Sequence, residues 1–354
     1  MQQDEIYMKR CLELAALGLG KTYPNPMVGS VIVYRGIIIG EGWHKKSGEA
    51  HAEVIAVDSV KDKSLLKEST IYVSLEPCAH YGKTPPCAAL IIKHKIPNVV
   101  IGCIDTFSEV AGKGIAMLQD AGANVKLGVL EAECLESHKR FFTFHQKKRP
   151  YIILKWAQTK DGFIAPTTQQ QGKPFWITSS ESKKLVHKWR TEEVSILVGT
   201  HTAEKDNPAL TARLWEGEQP LRLVLDRQLR LSTDLQVFNN SAKTLVFTAE
   251  SKKSTESTEY IATDFSNLHE SVLKELHKRN IHSVIIEGGR ETLQSFIDMN
   301  LWDEARVFTG KENLGEGISA PVLITKPTTE ESISTDLLSW YKNDSKINCV
   351  GKAH

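Results

Sequence analysis

The sequence has almost no charge imbalance, with 44 Lys and Arg residues against 43 Asp and Glu, a formal net charge of +1. A near-neutral chain sets up no global field toward nucleic acid or an anionic membrane, so neither is expected as a partner. Apolar runs long enough for a bilayer, about 20 residues, are missing. The N-terminus places Asp4 before an apolar stripe at Leu12, Ala15, Ala16 and Leu19, the pattern of a folded amphipathic helix and not of a charged-then-apolar signal peptide. Cysteine is scarce, six in 354 residues, and the spacings form no disulfide framework. That suits a reducing compartment, and a cytoplasmic location is expected. There is no internal repeat, no low-complexity tract and no G-x-G-x-x-G fingerprint. The length fits two domains of about 100–200 residues, each able to bury its own core.

What is present is concentrated in a short stretch. His51-Ala52-Glu53 is followed by Glu76-Pro77-Cys78 and then by Cys87. Zinc favours imidazole nitrogen and thiolate sulfur, and a catalytic site keeps three protein ligands and an open fourth position. His51, Cys78 and Cys87 would fill three positions, which leaves the Glu53 carboxylate to carry protons. H-x-E followed by P-C is the pattern of zinc nucleobase deaminases, in which the Glu is not a ligand. The second cysteine departs from that pattern, because eight residues separate Cys78 from Cys87. A structural zinc would need a fourth ligand, for which His80 is the nearby candidate, but a closed site would leave Glu53 without a role. One zinc per chain is expected.

The flanking patterns bring these residues to element ends. Ile71–Leu75 reads as a buried strand that turns at Pro77, so Cys78 leaves a strand end. Pro86 suits the opening of an apolar helix, which puts Cys87 in a first turn where the helix dipole favours a thiolate. His51 and Glu53 share a site most easily if they straddle the start of the helix through Val54, Ile55 and Val57.

The first half alternates strands and helices. A hairpin of Val28–Val33 and Ile37–Gly40 precedes helix 52–60, strand 71–75, helix 87–95, strand 98–103, helix 114–121, strand 125–129 and a single helix over 131–145. This pattern predicts a three-layer α/β domain. Gln146-Lys147-Lys148-Arg149-Pro150 reads as a solvated linker. Beyond it, strands are expected at 151–156, 194–199, 221–225, 244–248, 282–287 and 304–308, with helices near 180–190, 267–279 and 290–299. The segment from His282 to Glu287 enters a Gly288-Gly289 turn and then a helix. Such a turn leaves backbone N–H groups free for a phosphate, although Gly-Gly also simply ends strands.

The motifs resemble a known family. Pro24-Asn25-Pro26-Met27-Val28-Gly29, Gly42-Trp43-His44, Gly48–Glu53 and Leu75–Cys87, including the eight-residue cysteine spacing, closely resemble the bifunctional deaminase/reductase of bacterial riboflavin biosynthesis. Lys155–Gly162, Trp176–Ser179, Val198–Thr200, Asp206–Arg213 and Glu287–Gly289 resemble the reductase half of the same family. The resemblance implies a cytidine-deaminase-like α/β/α domain at 1–146 and a dihydrofolate-reductase-like α/β domain at 150–354. It implies zinc-dependent hydrolytic deamination of 2,5-diamino-6-ribosylamino-4(3H)-pyrimidinone 5′-phosphate. Reduction of the ribosyl to the ribityl chain by NADPH follows, giving 5-amino-6-ribitylamino-uracil 5′-phosphate.

By the same resemblance, Asn25, His44, Lys83 and Asp105 line the pyrimidine pocket beside the zinc ligands and catalytic Glu53. Ala157, Trp176, Thr202, Asp206 and the Gly288-Gly289 turn meet NADPH. Lys155, Arg190, Leu210, Arg213 and Glu287 face the substrate, with Lys155 and Asp206 also given catalytic roles. The partner implied is a small pyrimidine ribonucleotide, and a homo-oligomer is expected. Three positions depart from the family: Phe107 replaces an expected Asn, Pro174 stands where a Ser often contacts substrate, and Arg227 where a small hydroxyl residue often sits near the cofactor.

Other functions use parts of this inventory. A nucleic-acid base deaminase shares the zinc core but needs a basic, aromatic-bearing strand groove, which the near-neutral charge and the second domain argue against. A noncatalytic sensor built on dead enzyme domains would normally lose Glu53 or a ligand, and both are present. A deaminase with a degenerate reductase is the narrower alternative, drawn from Pro174 and Arg227.

Overall fold

A computed structural model describes residues 3–80, 85–105, 111–168 and 175–343. The chain divides into two compact units, Met1–Lys148 and Arg149–His354.

The first unit runs α1 (Gln3–Ala16), β1 (Gly29–Tyr34), β2 (Ile37–Trp43), α2 (Ala52–Ser59), β3 (Thr70–Leu75), α3 (Cys87–Lys93), β4 (Asn98–Cys103), α4 (Lys113–Asp120), β5 (Asn124–Leu127), α5 (Glu131–Ser137) and α6 (Lys139–Lys147). The sheet order is β2-β1-β3-β4-β5. β1 pairs antiparallel with β2 and β3, whereas β3, β4 and β5 are parallel. The strand alternation feeds two cores. Ile32, Ile71, Val73, Val99 and Ile101 pack with Ala56 of α2, Ile91 of α3 and Leu118 of α4. Val31, Val33, Tyr72 and Val100 point to the opposite face, against Met8 and Leu14 of α1, Cys134 of α5 and Phe142 of α6. The result is helix, sheet, helix.

Two differences from the sequence expectation have local causes. The helix predicted over 131–145 is two helices that meet at His138, whose φ of −96° and ψ of 10° leave the helical range. Strand β2 continues past Gly40 to Trp43, because the glycines at 40 and 42 do not end it. They let α2 lie against it. A Cβ at Gly42 would fall 2.4 Å from the Ala52 carbonyl oxygen, and one at Gly40 would fall 2.5 Å from that of Ala56. A strand glycine marks a close backbone approach as well as a break.

The second unit runs β6 (Tyr151–Gln158), β7 (Phe163–Ala165), α7 (Ser180–Glu192), β8 (Ser195–Gly199), α8 (Thr200–Asp206), β9 (Leu221–Leu225), β10 (Thr244–Thr248) and β11 (Thr258–Ala262). It continues through α9 (Leu268–Lys278), β12 (Ser283–Glu287), α10 (Arg290–Asp298), β13 (Glu304–Thr309), β14 (Ile318–Ser319), β15 (Thr329–Ile333) and β16 (Asp336–Lys342). Its large sheet has the order β11-β10-β9-β8-β12-β6-β13-β16-β15. Pairing is parallel from β11 to β13, and the β15–β16 hairpin adds antiparallel to β13. Ile152, Leu154 and Leu223 face α9 and α10, while Ile153, Val198 and Val224 face α7 and α8. The β11, β15 and β16 strands were absent from the expected set. β11 and β15 are sheet edges of mixed or acidic composition, TEYIA and TEESI, so no apolar alternation announces them.

Gly42→Ala places a methyl group against the backbone of α2. It is expected to cost about 1–3 kcal/mol by overpacking, read as a lower urea midpoint, and to reduce metal retention at the N-terminal end of that helix.

Candidate active sites

The zinc-ligand types of the first unit converge from three element ends. His51 is the N-cap of α2, with extended φ of −70° and ψ of 160°, so its side chain leaves the helix before the helical twist begins. Glu53 follows in the first turn and is buried. Cys78 lies three residues beyond the end of β3, and Cys87 is the first residue of α3, behind the N-cap Pro86. The His51 Nδ1 atom stands 3.6 Å from Cys78 Sγ and 3.3 Å from Cys87 Sγ, and the three donor atoms all lie within 4.8 Å of one another. Among the described residues this is the one such group of His, Cys, Asp or Glu, and exposed His80 is not part of it.

The local electrostatics suit a cation. The Cys78 thiol is pushed down to about 4, first by the hydrogen bond from the Cys87 thiol and against its own burial, with His51 and the Cys87 backbone N–H, 3.3 Å away, assisting. Cys87 is pushed up by the same partner, so the pair holds one thiolate, the metal-binding form of cysteine. The His51 imidazole is raised, chiefly by Cys78. Burial, with the negative Cys78 nearby, pushes the Glu53 carboxyl up to about 7, which leaves it able to take and give a proton near neutrality. An imidazole and two-sulfur donor set with one thiolate in place, and a carboxyl beside it that is outside the donor group, fits catalytic zinc.

His44 and Asn25 flank this cluster. The His44 ring lies edge-on to His51 at 5.6 Å between centroids. Its Nδ1 contacts the Ala50 carbonyl oxygen at 3.1 Å and its Nε2 contacts Asn25 Nδ2 at 3.1 Å. A neutral ring with the proton on Nδ1 satisfies both, and burial lowers the His44 pKa in the same sense. Asp105 is buried just past the end of β4. Lys83 and Phe107 lie outside the described residues.

In the second unit, a cleft of about 1090 Å³ is lined by Lys155, Ala157, Trp176, Arg190, Thr202, Asp206, Leu210, Arg213, Glu287, Gly288 and Gly289 together. β6 and β12 run parallel with Lys155 opposite Glu287, the last residue of its strand, so both side chains reach the cleft. Glu287 accepts from Lys155 Nζ and Arg190 Nη2, each at 2.7 Å. Burial alone would raise this carboxyl, and the charges of Arg190 and Lys155 outweigh it, holding it at about 2. Two cations against one anion leave a net positive charge, suited to a phosphorylated ligand.

The glycine turn also has a defined partner. Gly289 is the N-cap of α10 and donates its backbone N–H to Thr202 Oγ1 at 2.7 Å, which ties the turn to α8. Trp176 is 60% exposed, with Lys183 Nζ 3.7 Å from its ring centroid. Arg227 lines the same cleft, its guanidinium 5.8 Å from the Phe265 ring centroid, and Pro174 lies outside the described residues.

Sequence reasoning passed over His187 and Thr211. His187 is held neutral, at about 4, by burial and by Arg190 and Arg213, and its Nδ1 accepts the Arg213 backbone N–H at 2.9 Å. Arg190 donates to the Thr211 carbonyl at 3.2 Å and Arg213 to the Thr211 hydroxyl at 3.2 Å. Thr211 thus accepts from both arginine side chains, and His187 fixes the Arg213 backbone. A histidine inside a helix otherwise rich in lysine carries no signal of that role.

Residues 1–103 match the cytidine and deoxycytidylate deaminase zinc-binding region, and residues 150–347 match the RibD C-terminal domain. The chain is 39% identical over 355 residues to the riboflavin biosynthesis protein RibD of Aquifex aeolicus, covering 96% of this chain and 98% of that one. It is 40% identical to the RibD of Bacillus amyloliquefaciens, covering 91% and 88%. The crystal structure of a diaminohydroxyphosphoribosylaminopyrimidine deaminase/5-amino-6-(5-phosphoribosylamino)uracil reductase from Thermotoga maritima superposes with a TM-score of 0.88 at 38% identity, over 96% of this chain and 98% of that one. With both of its halves matched and both site geometries in place, this chain belongs to the RibD family of bifunctional deaminase–reductases of riboflavin biosynthesis.

Proposed function

We propose that the first unit deaminates 2,5-diamino-6-ribosylamino-4(3H)-pyrimidinone 5′-phosphate, and that the second reduces the product's ribosyl group to ribityl with NADPH. The observation that carries this reading is a buried carboxyl, Glu53, set beside three zinc-type donors that do not need it as a ligand. His51, Cys78 and Cys87 would hold zinc, which supplies a water of lowered pKa, about 7. Glu53 takes a proton from the attacking water and passes it to the departing nitrogen, so that water replaces the amino group and ammonia leaves. His44, its proton fixed on Nδ1 by the Ala50 carbonyl, accepts from Asn25 Nδ2 and so orients the Asn25 amide toward the pyrimidine edge. Asp105 holds the ring from the β4 side, and Lys83 belongs to the same set.

In the second unit, Ala157, Trp176, Thr202, Asp206 and the Gly288-Gly289 turn would hold NADPH, which supplies the hydride. Lys155, Arg190 and Arg213 bind the substrate's anionic end. Glu287 keeps the first two cations extended into the cleft, and Leu210 supplies apolar contact. Asp206, at the C-terminal end of α8, orients the reacting sugar. The substrate is a small pyrimidine ribonucleotide, processed in the cytoplasm by a homo-oligomer.

Three outcomes test this reading. Glu53→Gln is expected to keep one zinc per chain by elemental analysis and to lower ammonia release by about 10²–10⁴, while NADPH oxidation with deaminated substrate continues. Loss of the metal in that variant would make Glu53 a ligand and overturn its role. Chelation of the wild-type chain should abolish ammonia release and spare NADPH oxidation with deaminated substrate, so loss of both activities, each assayed on its own substrate, would contradict two separate sites. The third outcome concerns Glu287, which sits at about 2 against an ordinary 4.5. A depressed carboxyl contributes stability that is full above about pH 4.5 and is lost as pH falls toward 2. Glu287→Gln should therefore lower the urea midpoint at neutral pH and flatten its acid limb in that window, and an unchanged limb would refute the charge balance described.

A further inference from the structure

Glu76 lies two residues before Cys78 and is 4% exposed, yet the deamination chemistry does not use it. Its carboxylate is saturated by backbone amides. Oε1 accepts from Gly114 N at 2.9 Å and Ile115 N at 3.4 Å, and Oε2 accepts from Gly112 N at 3.0 Å and Asp105 N at 3.3 Å. Its own N–H donates to the Cys103 carbonyl at 3.0 Å, which continues the β3–β4 pairing past Leu75 and Cys103. Gly112, at φ +76°, is the N-cap of α4, so three of the four amides belong to the start of that helix, where a carboxylate is favoured by the dipole.

Glycine at 114 seats the helix directly on the same backbone. A Cβ there would lie 2.0 Å from the Pro77 carbonyl oxygen. Glu76 and Pro77 thus form a platform that touches Asp105 on one side and α4 on the other, and runs straight into Cys78. A carboxylate accepting several N–H groups is costly to disturb, because each abandoned amide is left buried and unmet.

We infer that Glu76 is a positioning residue of the deaminase, fixing Asp105 and the start of α4 relative to the metal-ligand segment at Cys78. The inference rests on the reading that Asp105 holds the pyrimidine. Glu76 touches neither substrate nor metal, so its effect falls on substrate fit and not on proton transfer.

A double-mutant cycle in the full-length zinc-loaded chain tests it, using Glu76→Gln, Asp105→Ala and the pair. Glutamine keeps one acceptor oxygen and turns an NH2 toward two N–H donors, so half of the platform is lost. Expected for Glu76→Gln are one zinc per chain, unchanged NADPH-dependent reduction of deaminated substrate, a KM for deamination raised about tenfold, and a kcat within about threefold of wild type. The pair should be no worse in KM than Asp105→Ala alone, because both changes remove the same contact. Independent, multiplying effects would overturn the inference, as would an unchanged KM in Glu76→Gln or a loss of zinc that accounts for the lost activity. If Asp105→Ala alone leaves KM unchanged, the reading of Asp105 fails instead, and the inference falls with it. Should Glu76→Gln not fold, Gly114→Ala, which presses on the Pro77 carbonyl from the helix side, takes its place in the cycle with the same expected and overturning results.

Discussion

The close approach of α2 to β2 is the contact on which the deaminase site depends. A helix can press its backbone against a strand only where the strand offers no side chain, and Gly40 and Gly42 provide that face. The depth so reached puts Glu53, in the helix's first turn, out of water, and burial is the leading cause of its raised pKa. It also places His51 at the helix N-cap, where an extended backbone carries the imidazole toward Cys78 and Cys87. The thiols complete the arrangement by sharing one proton, which stores a negative charge where a cation is to sit.

The second unit solves a different problem, keeping cations in a partly buried cleft. Unpaired, Lys155 and Arg190 would pay a desolvation cost of several kcal/mol each. Glu287 offsets this by accepting from both, and Arg190 Nη1 donates to the Thr211 carbonyl. His187 contributes by staying neutral between Arg190 and Arg213, since a third positive charge there would work against both. The parallel register of β6 and β12 makes the central pair possible by setting Lys155 and Glu287 side by side at the strand ends.

The clustering of His51, Cys78 and Cys87 beside a buried Glu53 was legible in the chain because the signals that place each of them are local. His-x-Glu at a helix start and cysteines at a strand end and a helix start are each announced by nearby prolines and apolar runs. The glycine turn at 288–289 was visible as a pattern, but its bond to Thr202 joins residues 87 positions apart, and no local signal reports it. Polar edge strands β11 and β15 went unread because their stability comes from a neighbour's backbone and not from their own apolar alternation.

Residue types, their spacing and the periodicity of apolar positions determined the α/β class, the two-domain division and the zinc donor set, whereas the reductase half was legible only through the resemblance of its motifs to a known family. The class and the division follow from local periodicity, where helix and strand geometry are nearly fixed, and the donor set from the chemistry of its residue types, although His51 stands 27 and 36 positions from the two cysteines. Tertiary structure alone decided that Gly40 and Gly42 extend a strand instead of ending it, that Glu76 serves four amides from two distant segments, and that Thr211 accepts from both of the cleft's arginine side chains. Each of those outcomes turns on what the packed chain brings within hydrogen-bond or van der Waals reach, a quantity that the order of residues constrains only through the whole fold.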